Sequence, residues 1–166
     1  ALNSEHGLKQ IAILRDRFGE KCMIGAGTAI SVDLAKAAIG AGAQFLLTPG
    51  TPIDVLQYCA KKDIMLLPGV FTPGDVATSL EFGYKTMKLF PAGCAPKGYL
   101  KALKGPYDEA NYIAIGGVTI DNINDYFKEG YMGVGLASNL MPLSVLKDKN
   151  WDLGVSYVQK YVSRVK

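Results

Sequence analysis

The sequence predicts an α/β protein of the (β/α)8 TIM-barrel class, with about the first two strands of the barrel missing from the chain. Three observations predict it. Short apolar runs ending in Gly, Pro or Thr alternate with amphipathic stretches along 166 residues. The exits of those runs, Thr28, Pro49, Gly69, Phe90, Gly116 and Gly135, recur at steps of roughly 20 residues, a near-constant βα pitch. Glycine is enriched, at 19 of 166 residues against about 7% in average usage, and it gathers at those exits. No GxGxxG follows the first run. Near-uniform units with paired glycines at the last two strands favour a barrel over a doubly wound sheet.

Each element follows from its local pattern. The chain opens with a helix, Glu5 to Phe18, standing before any strand. Strands are expected at Cys22–Gly25, Phe45–Leu47, Ile64–Leu67, Thr86–Phe90, Tyr112–Ile115 and Met132–Leu136. They are short and continuously apolar, as suits strands buried on both faces of a parallel sheet. Val32 to Ala41 carries Val32, Ala35, Ala38 and Ile39 on one helix face, and Ile53 to Ala60 repeats the pattern with Ile53, Leu56 and Ala60. Pro73 to Phe82 opens with Pro in its first turn after Thr72, a favourable N-cap. Asp121 to Lys128 and Trp151 to Val165 complete the set. Residues 1–166 form a single partial barrel domain on this reading. A closed barrel needs eight strands and six are found. Two strands are therefore expected ahead of Ala1, since six would leave open edges and apolar faces exposed.

Composition excludes several classes. The chain is 49% hydrophobic and 20% charged, which is not the balance of a disordered chain. No apolar run is long enough to cross a membrane, and no basic-then-apolar leader argues for secretion. Net charge is +3 with scattered lysines, so no basic stripe marks a nucleic-acid surface. Cys22, Cys59 and Cys94 form no CxxC pair, which points to reduced thiols in a cytoplasmic protein. His6 is the only histidine. It makes a poor metal site and fits better in the first turn of a solvated helix.

The chemistry is expected at strand ends. Alternation along a strand puts Met87 and Leu89 toward the helices, and Thr86, Lys88 and Phe90 toward the interior. A lysine among apolar walls loses hydration of its ammonium, so its pKa falls and its free amine can attack a carbonyl to give a Schiff base. The alternative is a lysine that reaches past the strand end into water, and the pattern allows both. Gly116-Gly117 and the Gly133–Asn139 segment, with Ser138 as hydroxyl donor, can bring backbone N–H groups close to a phosphate. They also serve as tight turns. Thr28 offers a hydroxyl to a substrate carboxylate or simply closes a turn.

Ile24-Gly25-Ala26-Gly27-Thr28, Gly42-Ala43-Gln44-Phe45, Thr48-Pro49-Gly50, Leu67-Pro68-Gly69 and Lys88-Leu89-Phe90-Pro91-Ala92 occur in order. With Gly116-Gly117-Val118 and the Ser138 loop, they closely resemble the KDPG/KHG aldolases across nearly the whole chain. Those enzymes cleave 2-keto-3-deoxy-6-phosphogluconate and 4-hydroxy-2-oxoglutarate. The resemblance implies that Lys88 attacks the C2 carbonyl, and that cleavage releases glyceraldehyde 3-phosphate and leaves an enamine of pyruvate. The protonated imine is the electron sink, so neither cofactor nor metal is implied. Thr28 and Pro49 would line the pyruvate pocket with Phe90 beside it, and Gly116, Gly117 and Ser138 would hold the phosphate. The implied partners are a phosphorylated keto acid, pyruvate and further copies of the chain in a homotrimer, with no nucleic acid and no membrane.

Two departures bear on substrate and mechanism. The family's general acid/base glutamate would fall two residues before Ala1. Asn3 stands where gluconate-type enzymes carry an arginine, and Ile115 replaces a threonine before the glycine pair. Both substitutions resemble the 6-phosphogalactonate branch more. Another phosphate-binding barrel, an epimerase or isomerase, would explain the glycine loops but leave Lys88 without a task. A degenerate barrel that binds ligands without full catalysis is the third reading.

Overall fold

The computed structural model describes residues 1–165. The chain divides into two compact units, Ala1–Lys88 and Leu89–Lys166.

The first unit holds α1 (Gly7–Phe18), β1 (Gly25–Gly27), α2 (Val32–Gly40), β2 (Phe45–Leu47), α3 (Ile53–Lys61), β3 (Leu66–Leu67), β4 (Gly69–Val70) and α4 (Pro73–Glu81). The first three residues of β5 (Thr86–Leu89) end it. β1, β2 and β3 are parallel neighbours in that order, with Gly25 opposite Phe45 and Leu46 opposite Leu66. Parallel neighbours joined by helices are the expected βα arrangement. Strand alternation then separates two faces. Leu46 is fully buried in a core with Ala35, Ala38, Val55, Leu56 and Cys59 of the helices. Phe45 and Leu47 take the opposite face and are half-buried. Burial in that core pushes the Cys59 thiol up to about 11. Tyr84 donates its hydroxyl to the carbonyl of Leu56 at 3.0 Å, and burial pushes its phenol up to about 12.

Caps explain where these helices begin. Ser31 accepts from the N–H of Leu34 at the start of α2. At α4, Thr72 Oγ1 accepts from the N–H of Asp75 while Asp75 accepts from the N–H of Thr72, a reciprocal capping box.

The second unit holds a 3-10 turn at Ala92–Cys94, α5 (Tyr99–Lys104), β6 (Asn111–Ile115), α6 (Ile123–Glu129), β7 (Gly133–Gly135), α7 (Leu143–Lys147) and α8 (Trp151–Arg164). β6 and β7 pair in parallel, with Ile113 opposite Gly133 and Ile115 opposite Gly135. Tyr112 and Ala114 are fully buried, and the alternate residues of β6 are not.

Both units fill one sheet face in the same way. A Cβ placed on Gly25 would run into the ring of Phe45, and one on Gly135 would lie 2.7 Å from Cγ1 of Ile115. A bulky side chain on one strand leans over a glycine of the next, so small and large residues interlock.

Several expectations need correction. The first strand is Gly25–Gly27, not Cys22–Gly25; Cys22 and Met23 are exposed in the approach to it. The third strand is Leu66–Leu67, and a separate β4 follows Pro68, because proline cannot donate to a ladder. Among the described residues seven strands result instead of six. α6 begins at Ile123, two residues after Asp121. His6 occupies the position just ahead of α1, where its carbonyl accepts from the N–H of Gln10 at 2.9 Å. α5 and α7 were not anticipated.

Candidate active site

Lys88 is the third residue of β5 and only 9% exposed, between fully buried Met87 and Leu89. Burial holds its ammonium below the ordinary lysine range, because low dielectric disfavours the charged form. The alternative of a lysine snorkelling into water is therefore set aside. Its backbone N–H donates to the carbonyl of Pro68 at 2.8 Å.

That bond is one of a series joining consecutive strand exits in the first unit. Ala29 donates its N–H to the carbonyl of Leu47 at 3.1 Å. Gly69 donates its N–H to Thr48 Oγ1 at 3.1 Å, and Thr48 Oγ1 donates to the carbonyl of Gly50 at 2.6 Å. Gly69 has no room for a Cβ against the backbone of Pro49. Thr28 and Pro49 thus follow neighbouring strands, and Lys88 is bonded to the Pro68 segment one strand further on. Thr28 has φ +68°, a left-handed conformation uncommon for a β-branched residue and costing of order 1–3 kcal/mol. Pro49 is exposed. Leu2 donates its N–H to the carbonyl of Gly27 at 2.9 Å, which sets Asn3, in an exposed turn, beside the exit of β1.

In the second unit, Phe90 follows β5 and precedes a cis peptide at Pro91. Its ring lies where a Cβ on Gly116 would come within 3.0 Å. Gly93 donates its N–H to the carbonyl of Gly116 at 2.8 Å. Gly116 and Gly117 have φ +87° and +85°, a region open to glycine. The turn after them is tied by Asn122. Its Oδ1 accepts from the N–H of Thr119 at 2.8 Å, and its Nδ2 donates to the carbonyl of Gly117 at 3.0 Å. Ser138 is exposed in the turn that follows β7. Its neighbour Asn139 donates Nδ2 to the carbonyl of Val118 at 3.1 Å. The structure thus brings Phe90, the glycine pair and the Ser138 turn together.

Sequence reasoning assigned no role to Thr48, Asn122 or Asn139. The Thr119-x-x-Asn122 spacing is a capping-type signal and could have found Asn122. Among the described residues, no group of three or more His, Cys, Asp or Glu is placed to hold a metal. Nor, among the described residues, is any helix long and apolar enough to cross a membrane.

A buried lysine near a parallel-strand end is a group suited to forming a Schiff base with a carbonyl carbon. The sequence profile of the KDPG and KHG aldolases matches residues 1–156, and the chain belongs to that family. It is 31% identical to the 2-dehydro-3-deoxy-6-phosphogalactonate aldolase of Escherichia coli K12, over 96% of this chain and 78% of that one. It is 33% identical to the 2-dehydro-3-deoxy-phosphogluconate aldolase of Pseudomonas aeruginosa, over 90% of this chain and 68% of that one. The KDPG aldolase of Legionella pneumophila, solved with pyruvate captured as a covalent carbinolamine, superposes with a TM-score of 0.87 at 30% identity. That match covers 95% of this chain and 76% of the other.

Proposed function

We propose that this protein is a class I aldolase that cleaves a 2-keto-3-deoxy-6-phospho-sugar acid to pyruvate and glyceraldehyde 3-phosphate, with Lys88 as the imine-forming residue. The observation that carries the reading is the burial of Lys88. Burial raises the fraction of neutral amine at a given pH. The neutral Nζ attacks C2 of the keto acid to give a carbinolamine, which loses water and becomes a protonated imine. Removal of the C4 hydroxyl proton by a general base breaks the C3–C4 bond. The electron pair passes into the imine, leaving an enamine and releasing the aldehyde. Protonation at C3 and hydrolysis return pyruvate and the free amine.

Thr28 and Pro49 line the pyruvate pocket in this reading, with Phe90 packed beside it. Gly116, Gly117 and Ser138 take the phosphate, and Asn3 is a further substrate-binding residue. Asn3 and Ile115 resemble the galactonate branch, while relatives acting on each epimer are similar to this chain, so the substrate on this reading is either epimer. The scaffold is of (β/α)8 barrel type and the protein works in the cytoplasm as a homotrimer. Borohydride reduction in the presence of pyruvate, followed by peptide mapping, should mark the peptide that holds Lys88. Labelling that persists in Lys88→Ala would overturn the assignment. Comparing kcat/KM for the two epimers tests the substrate.

A further inference from the structure

We propose that Tyr161 and Asn139 are positioning residues for the phosphate: together they lock the turn carrying Ser138 against the Gly116–Val118 turn. This rests on the reading above, in which Gly116, Gly117 and Ser138 hold the phosphate. All of these residues lie in the second unit.

The Ser138 turn has little of its own to hold it. Leu140 donates its N–H to the carbonyl of Ala137 at 3.0 Å, which makes residues 137–140 a β-turn with Ser138 and Asn139 at its centre. Ala137, Ser138 and Asn139 are exposed, and an exposed turn with few apolar contacts opens readily. Two bonds restrain it. Asn139 Nδ2 reaches the carbonyl of Val118, and Tyr161 Oη donates to the carbonyl of Asn139 at 2.7 Å. Tyr161 is buried, 7% exposed, near the end of α8. Its ring is fixed by the core while its hydroxyl reaches the turn, the two-ended character of a buried tyrosine.

The facing turn is held by the same device. The successive carbonyls of Gly117 and Val118 each accept from an asparagine side chain, Asn122 and Asn139. In a trans peptide the N–H points opposite to the C=O. Fixing the Gly117 carbonyl therefore fixes the direction of the Val118 N–H. A cavity of about 410 Å³, lined by Thr119, Ser138, Asn139, Lys160 and Tyr161 among others, opens beside the two turns. Tyr161 thus sets where the Ser138 hydroxyl stands relative to the glycine N–H groups without itself contacting phosphate.

The test compares full-length wild-type protein, Ser138→Ala, Tyr161→Phe and the double variant. Each is measured with the phosphorylated keto acid and by borohydride trapping of pyruvate. Tyr161→Phe keeps the ring and deletes one oxygen, so folding is preserved. It should raise KM about 3- to 10-fold, change kcat by less than about 2-fold and leave pyruvate trapping unchanged. In the Ser138→Ala background the same substitution should add nothing, because a residue acting through Ser138 has nothing left to position. Asn139→Ala should repeat the KM-only pattern. The brace is overturned if Tyr161→Phe leaves KM unchanged while Ser138→Ala raises it. It is equally overturned if the two effects add, or if trapping slows in step with KM. If Ser138→Ala itself leaves KM unchanged, the phosphate reading fails and takes the brace with it.

Discussion

Replacing Gly117 with alanine separates two costs that the structure places on one residue. The first is conformational. Gly117 has φ +85°, and an L-residue held in the left-handed region loses about 1–2 kcal/mol. The second is steric. An added Cβ would lie 2.8 Å from Cα of Gly93 and 3.2 Å from its nitrogen. Both atoms are backbone and cannot swing aside as a side chain would. The N–H of Gly93, bonded to the carbonyl of Gly116 at 2.8 Å, holds the two segments together, so one of them must shift. Forcing such a shift costs about 1–3 kcal/mol. The variant should lose about 2–5 kcal/mol, a large part of the ~5–15 kcal/mol that holds a typical domain folded. Gly83 supplies the control. It has the same φ of +85°, but nothing lies within 4 Å of the added Cβ, so Gly83→Ala should lose only about 1–2 kcal/mol. Urea unfolding read by circular dichroism gives both values from the midpoint, provided the slope is unchanged. A Gly117→Ala midpoint no lower than that of Gly83→Ala would refute the close-approach argument.

Other perturbations test other parts. Thr48→Val removes the acceptor of the Gly69 N–H at a wholly buried position. It should cost about 1–3 kcal/mol by urea unfolding, while Thr48→Ser keeps most of the stability. Asp75→Ala breaks the capping box of α4 and should cost about 1–2 kcal/mol at neutral pH. Burial pushes the Asp75 carboxyl upward, but hydrogen bonds from Thr72, Phe71 and Thr51 outweigh it and hold it below its usual 3.8. The stabilisation is therefore fully present above the unfolded value and lost as pH falls through the depressed one. The gap between wild type and Asp75→Ala should stay constant above about pH 5 and close in acid. Lys88 shifts stability in the same direction with pH, but as a penalty on its buried charged form and in the alkaline range. Its pKa is depressed from 10.5 by burial, so between the folded and unfolded values the unfolded chain binds more protons and stability rises with pH. Lys88→Met should flatten that rise, and the wild-type rate of imine trapping should level off below pH 10.5; trapping that follows an ordinary lysine titration would contradict the desolvation argument.

Local patterning gave away β2, whose Phe45–Leu47 bounds match the apolar run, and α4, whose proline and threonine cap mark its start. It misplaced β1 because that strand is Gly-Ala-Gly, with almost no side chain to signal it. The bulk that fills its face comes from Phe45 on another strand, a tertiary fact invisible in a window of sequence. α5 and α7 span six and five residues, too few turns to show a helical period. Lys88 could be singled out because alternation on a short apolar strand gives a lysine only two fates, and its burial chose between them. Asn139 and Tyr161 were not legible. They are 22 residues apart, and nothing local joins them until the chain has folded.

The interlocking of glycine with a bulky neighbour, Gly25 with Phe45 in one unit and Gly135 with Ile115 in the other, means that volume on one face of each sheet belongs to pairs of positions. Directed evolution that varies one site at a time would score both members of a pair as immutable: the glycine admits no methyl, and the large residue, if trimmed, leaves a hollow. Changed together, the same two sites form a single adjustable spacer whose parts can trade size across the strand boundary. Such paired libraries offer a way to reshape that face of each sheet while the backbone register stays as it is.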